Sequence, residues 1–68
     1  MNKHEIIEAV HLSIVNRQHK QAYNQMKVYG LYDFFDDYAE YLMPLYSGLA
    51  GFVYLRKAIN IFMRLEYR

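Results

Sequence analysis

Residues 32–41 read YDFFDDYAEY, and the interpretation of this stretch decides the fold of the middle of the chain. Four of its residues are acidic and five are aromatic. In an α-helix the acidic and the aromatic side chains separate onto different faces, because residues three or four apart share a face. Asp33 is a suitable N-cap, and Asp36 and Asp37 then lie in the first turn, where the helix dipole favours negative charge. Pro44 predicts the end of this helix one or two residues earlier.

The N-terminal part of the chain predicts a long amphipathic helix. Asn2 is a good N-cap, and Glu5, three residues later, can complete a capping box. Because NRQHKQ, residues 16–21, contains no Gly or Pro, we predict one helix of roughly 25 residues that stops at Gly30. Two shorter helices with a break inside residues 16–21 are the alternative. The apolar stripe of the long helix consists of Ile7, Val10, Ile14, Ala22, Met26 and Tyr29.

The C-terminal part of the chain predicts a third helix, from an N-cap at Ser47 to about residue 67. Apolar residues cover most of its circumference, which is typical of a central helix. Two neighbouring helices cannot cover all of this surface, so we expect part of it to meet a second subunit. The residues predicted for this oligomer interface are Phe52, Leu55, Ile59 and Phe62.

The expected fold class is therefore all-α. One small three-helix domain, residues 1–68, would contain a long N-terminal helix, a short acidic and aromatic middle helix and an apolar C-terminal helix. Dimerisation is expected because a core of this size supplies only about 3–5 kcal/mol unaided. With no cysteine in the chain, disulfides and thiolate metal sites are excluded.

The start of the chain and its longest uncharged segment indicate no membrane association. Acidic residues interrupt the beginning, MNKHEIIEAVH, where a secretory signal would need an apolar run. The longest uncharged segment, residues 41–55, contains Pro44, Gly48 and Gly51 and is shorter than the roughly 20 residues of a membrane span. We expect a cytoplasmic protein.

Charge is distributed unevenly along the chain. The net charge is +2 for residues 1–30, −4 for residues 31–50 and +3 for residues 51–68, which adds up to the formal +1 of the whole chain. A general DNA-binding domain would be basic as a whole. This pattern instead marks the middle segment as a candidate binding surface.

No residue pattern predicts an enzyme, a metal site or a cofactor. His4, Glu8 and His11 share a helix face and could together bind zinc, but one helix face rarely completes a closed site. We interpret them as a solvated polar face opposite the apolar stripe. There is no cysteine nucleophile and no glycine-rich phosphate loop, and neither Ser13 nor Ser47 lies in a catalytic motif.

The preferred function is that of a non-enzymatic module that binds a surface of a host protein. The tyrosines of the middle segment are more numerous than a small core can enclose, and a patch of aromatic residues rimmed by carboxylates is typical of a protein-binding surface. An inhibitor or adaptor of a phage or mobile element fits such a short chain. The predicted partner-binding residues are Tyr32, Asp33, Asp36, Asp37, Tyr38, Glu40 and Tyr41.

Two other functions stay open. Basic residues of the C-terminal helix form a stripe that could lie along nucleic-acid phosphates, although such a stripe is more often the solvent face of a helix. These alternative nucleic-acid contacts are Arg56, Lys57, Arg64 and Arg68. The third hypothesis is a structural subunit that assembles only with itself.

Overall fold

A computed structural model describes residues 2–68, which fold into four α-helices with no strand among them. The helices are α1 (Lys3–Val15), α2 (His19–Tyr29), α3 (Leu31–Leu42) and α4 (Leu49–Glu66). The all-α prediction is confirmed. The predicted count of three helices is not, because the region expected to form one long N-terminal helix contains two.

Backbone geometry at Arg17 separates α1 from α2. Arg17 adopts the left-handed conformation, with φ of 59°. Its N–H donates to the carbonyl of Ile14 at 3.2 Å, and the N–H of Gln18 donates to the carbonyl of Ser13 at 2.8 Å. These two bonds form a Schellman motif, in which glycine usually occupies the position of Arg17. The break lets the chain fold back, so that the apolar stripes of α1 and α2 bury each other.

The predicted cap at the start of α1 is confirmed. The Asn2 side chain accepts a hydrogen bond of 2.8 Å from the N–H of Glu5. The Glu5 carboxylate in turn accepts a 3.4 Å bond from the Asn2 side-chain amide. The reciprocal half of the capping box is therefore made between side chains.

Gly30 alone connects α2 to α3. Its φ of 104° is a conformation that L side chains rarely adopt. The Gly30 N–H donates to the carbonyl of Met26 at the end of α2, and its carbonyl accepts from the N–H of Phe34 at the start of α3. The predicted stop at Gly30 is thus confirmed, and the following helix begins immediately.

The starts of the last two helices differ from the predicted ones. Asp33 is not the N-cap of α3 but lies in its first turn, which moves Asp36 and Asp37 into the second turn. The N-cap of α4 is Gly48 rather than Ser47, and no side chain caps this helix. The predicted end of α3 before Pro44 and the predicted end of α4 near residue 67 are confirmed.

The core lies between all four helices. The predicted stripe of α1 and α2 is buried apart from Tyr29, which is half-buried. The helix with the most buried residues is α1, whereas α4 buries only Gly51, Ala58 and Ile61. The prediction that α4 is the central helix is therefore wrong. The buried apolar residues are Ile7, Val10, Ile14, Ala22, Met26, Phe34, Tyr38, Leu42, Ala58 and Ile61.

Candidate functional site

The acidic residues predicted to bind a partner share one face of α3. At about 100° of rotation per residue, Asp33, Asp36, Asp37 and Glu40 fall within an arc of about 100°. Asp33, Asp36 and Glu40 are exposed, and Asp37 is half-buried. We name these four residues the acidic face. The face points away from the core because the buried residues of α3 lie on the opposite side.

The predicted tyrosines are not all available to a partner. Tyr32 is 89% exposed, and Tyr41 is half-buried beside α1. Tyr38 is completely buried and belongs to the core. The accessible part of the predicted surface therefore lacks Tyr38 and is bordered by Tyr32 on one side and Tyr41 on the other.

One edge of the acidic face borders a groove between α1 and α3, which we name the acidic groove. Its volume is about 460 Å³. Glu8 of α1 and Asp37 and Glu40 of α3 are among its lining residues, so carboxylates from two helices border the same groove. The groove is lined by Lys3, His4, Ile7, Glu8, Tyr29, Asp37, Glu40, Tyr41, Pro44 and Leu45.

Two tyrosines form aromatic walls of the acidic groove. The Tyr29 hydroxyl donates a short hydrogen bond to the Asp37 carboxylate. Burial, followed by this bond, raises the pKa of Tyr29 to about 12. Burial and the nearby charge of Glu8 also raise the pKa of Tyr41. Both rings are thus neutral at physiological pH, and the Lys3 ammonium lies 6.0 Å from the centroid of the Tyr29 ring.

A buried histidine joins α1 to α3 and to the connection before α4. The Nδ1 of His11 lies 2.6 Å from the Tyr38 hydroxyl, and its Nε2 lies 3.0 Å from the Tyr46 hydroxyl. The rings of Tyr41 and Tyr54 flank the imidazole at centroid distances of 5.5 and 5.1 Å. We name these five residues the histidine–tyrosine cluster.

The surroundings of His11 favour its neutral form. Only 5% of the residue is exposed, and burial lowers the pKa of its imidazole. Neutral imidazole has one donor and one acceptor nitrogen, so one of the two bonded tyrosines donates to it and the other accepts. Burial likewise raises the pKa of Tyr38 and Tyr46. His11, Tyr38 and Tyr46 therefore form an uncharged hydrogen-bonded unit within the cluster.

The interpretation of His4, Glu8 and His11 as a solvated face is correct for the first two and wrong for His11. His4 and Glu8 are exposed at the rim of the acidic groove. His11 stands four residues after Ile7 and three before Ile14, which places it on the core face of the same helix. This spacing is the feature of the sequence that indicates a buried His11. Among residues 2–68 no group of three His, Asp or Glu side chains is arranged to hold a metal ion.

The basic residues of α4 divide between two surroundings. Lys57 and Arg64 line a cleft together with Arg17 and His19 from the α1–α2 corner. Arg56 and Arg68 are exposed and do not line it. The predicted basic stripe of α4 is thus divided, and of its four residues Lys57 and Arg64 line this cleft.

The residues predicted for an oligomer interface are also divided. Leu55 and Phe62 pack against the core, and Ile59 is half-buried. Phe52 is 56% exposed and borders a groove of about 370 Å³ that Met43 also lines. Leu49 lies one turn before Phe52 and Val53, and all three are exposed. We name Met43, Leu49, Phe52 and Val53 the apolar surface.

No protein-family model, curated protein or solved structure matches this chain. Within residues 2–68, no helix combines the length and the apolar character needed to cross a membrane.

Proposed function

We propose that this chain is a non-enzymatic module that binds a basic segment of a partner protein in the acidic groove. The observation that carries the proposal is that Glu8, Asp37 and Glu40 line one groove. These three carboxylates outnumber the single ammonium of Lys3 there, and the excess of negative charge attracts a cationic side chain. Binding of a Lys or Arg side chain is thus favoured by the charge arrangement itself.

The aromatic walls support the same class of partner. Tyrosine rings attract cations over their faces, and arginine is the commoner cation in such contacts. The protein's own Lys3 already lies over Tyr29 at the rim of the groove. A partner's guanidinium can use the face of Tyr41 in the same way, while the carboxylate of Glu40 accepts its hydrogen bonds.

The acidic face extends the surface beyond the groove. Asp33 and Asp36 are exposed on α3, and Tyr32 stands beside them. A partner segment with several basic residues would therefore place one in the groove and others along α3. A module of this kind acts by covering a surface of its partner, and the role we propose is that of an inhibitor or adaptor encoded by a phage or mobile element.

Charge reversal in the groove tests the proposal. The tagged protein would be used to capture partners from a bacterial lysate, with and without nuclease treatment, in parallel with Glu40→Lys and Asp36→Lys variants. Both residues are exposed on α3, but only Glu40 lines the groove. We expect the Glu40→Lys variant to bind the captured protein about tenfold or more weakly, because the new charge repels a basic segment.

The Asp36→Lys variant is the matched control, with an expected smaller loss of affinity. Equal losses for both variants would show that the whole acidic face binds the partner rather than the groove. A captured protein that binds both variants as tightly as the wild type would disprove the proposal. Partners that disappear after nuclease treatment would instead favour nucleic-acid binding through α4.

Self-association through the apolar surface is the second candidate. Met43, Leu49, Phe52 and Val53 are large apolar side chains left exposed near the start of α4 and in the connection before it. Exposed large apolar side chains grouped in this way are typical of an interaction surface. We propose a homodimer in which this surface of one copy packs against the same surface of another. This surface lies nearer the start of α4 than the predicted interface and shares Phe52 with it.

A further inference from the structure

The cleft between the α1–α2 corner and α4 is lined by basic residues and by no acidic one. Its volume is about 470 Å³, within the range of small-ligand sites. Arg17 and His19 lie on one side, Lys57 and Arg64 on the other, and no carboxylate is among the residues that line it. We name it the basic cleft.

The two walls of the basic cleft come from elements that are distant in sequence. Lys57 and Arg64 lie seven residues apart, on one face of α4. Arg17 and His19 follow the end of α1 and are carried to the cleft by the Schellman motif. Arg17 and Arg64 thus line the same cleft from distant segments of the chain, and an anion in the cleft can be attracted by both guanidinium groups.

Arg17 occupies its position in spite of its backbone conformation. Its φ of 59° is the left-handed region, which glycine adopts without strain and arginine does not. A glycine would make the same turn more cheaply. What the arginine adds is a guanidinium at the rim of the basic cleft, which can bind an anion through two parallel hydrogen bonds.

The start of α2 reinforces the positive potential of the basic cleft. No side chain caps this helix, and its first turn contains no acidic residue. The positive end of the helix dipole is therefore not offset there, and it favours an anion beside His19, which lines the cleft.

We propose that the basic cleft binds the phosphate group of a small ligand. A phosphate carries nearly two negative charges and three acceptor oxygens, so it can use donors from both walls at once. A carboxylate has only two oxygens, and a single arginine can donate hydrogen bonds to both of them. The floor of the cleft is aliphatic, with Ile14, Ile61 and Leu65, and accommodates an apolar part of the same ligand.

The shape of the basic cleft favours a small ligand over a nucleic-acid strand. Proteins that bind single strands combine an open basic groove with aromatic side chains on which bases stack. No Phe, Tyr or Trp is among the residues that line this cleft, and its basic residues come from two separate segments of the chain. The site is separate from the acidic groove, so the two proposals can fail independently.

Titration of the ¹⁵N-labelled protein with inorganic pyrophosphate tests the inference by NMR. At constant ionic strength, we expect chemical-shift changes to concentrate at the backbone amides of Arg17, His19 and Arg64. Acetate, added in a parallel titration, should cause much smaller changes. Shifts spread over the whole surface, or equal binding of acetate, would overturn the proposal.

Three variants locate the site. Arg17→Gly and Arg64→Gln should each weaken pyrophosphate binding roughly tenfold, through the loss of a charged hydrogen bond. Arg56→Gln removes the same charge from α4 outside the cleft and should leave binding unchanged. Because glycine relieves the strain at residue 17, Arg17→Gly is expected to bind less while resisting denaturant better, and unfolding cannot produce that combination.

A single-stranded oligonucleotide distinguishes the two sources of phosphate. We expect it to bind no more tightly than pyrophosphate. An oligonucleotide that binds far more tightly, and that loses affinity in Arg56→Gln as well as in Arg64→Gln, would assign the basic residues of α4 to a nucleic-acid backbone and overturn the small-ligand site.

Discussion

His11 is a polar residue in the centre of the fold, and its protonation is linked to folding. The imidazole contacts tyrosines from α3, from the connection at residues 43–48 and from α4. Burial raises the pKa of Tyr38, Tyr41 and Tyr46, so none of these three hydroxyls supplies a negative charge near neutral pH. Nothing in the cluster therefore offsets the cost of a buried imidazolium.

The pH dependence of stability follows from the lowered pKa of His11. In the unfolded chain the imidazole takes up a proton near its ordinary pKa of 6.5, whereas the folded protein resists protonation. The unfolded state thus binds more protons as the pH falls below about 6.5, and the free energy of unfolding decreases. Urea unfolding at about pH 7.5 and about pH 5.5 should show a lower midpoint at the acidic pH.

Substitution of His11 isolates this contribution. Glutamine can bond to both tyrosine hydroxyls but does not titrate, so His11→Gln should lose most of the difference between the two pH values. His4→Gln and His19→Gln remove exposed imidazoles and should keep it. If His11→Gln retained the full difference, the pH dependence would have to come from other groups.

At the scale of the helices, the break between α1 and α2 makes a direct stability prediction. A left-handed conformation costs a non-glycine residue roughly 1–2 kcal/mol, and the greater unfolded-state entropy of glycine offsets some of the gain. We expect Arg17→Gly to raise the free energy of unfolding by about 1 kcal/mol, measured by urea denaturation.

Gln21→Gly provides the comparison for this prediction. Gln21 is exposed inside α2, where glycine lowers helix propensity and should reduce stability by about half a kcal/mol. A decrease in stability on Arg17→Gly would mean that the arginine side chain contributes more than the backbone strain costs.

The helices that could be predicted from the sequence are those whose signals are local. The Asn2 cap, the stop at Gly30, the end of α3 before Pro44 and the apolar stripe of α1 and α2 each follow from residue type and spacing. The break at Arg17 agrees with the alternative prediction of two helices and not with the preferred one, because an arginine replaces the glycine that marks such a turn. Tertiary packing of α1 against α2 overrides the helical propensity of residues 16–18.

The predictions for the candidate site also divide into those that follow from local sequence and those that depend on tertiary packing. The acidic face follows from the spacing of the four carboxylates, which the sequence displays directly. Two other features depend on how the helices pack together, and no local pattern contains that information. They are the burial of Tyr38 and the position of Glu8 in the same groove as Asp37. His11 could have been assigned to the core, since it lies on the stripe with Ile7 and Ile14.

At the scale of the whole molecule, one chain packs as compactly as an independent domain. The radius of gyration is 11.0 Å. That value is close to the roughly 11 Å expected of a domain of this length. Dimerisation is therefore not needed to make the chain compact. The proposed dimer rests instead on the exposed side chains of the apolar surface.

Sedimentation velocity over a range of protein concentrations tests the proposed dimer. We expect a concentration-dependent dimer in the wild type and a shift towards monomer in Phe52→Ser, because the serine removes apolar area from the interface. Met63→Ser is the matched control, since Met63 is 53% exposed on α4, three turns beyond Phe52. A wild-type protein that stays monomeric at all concentrations would exclude the dimer.

The short connections between the helices have a kinetic consequence. Residues 16–18 join α1 to α2, Gly30 alone joins α2 to α3, and residues 43–48 join α3 to α4. Segments adjacent in the chain are thus adjacent in space, and helical proteins of such low contact order fold in microseconds to milliseconds. A ribosome adds roughly 5–20 residues per second. Once all four helices have left the ribosome, the domain can therefore fold in less time than the addition of one amino acid takes.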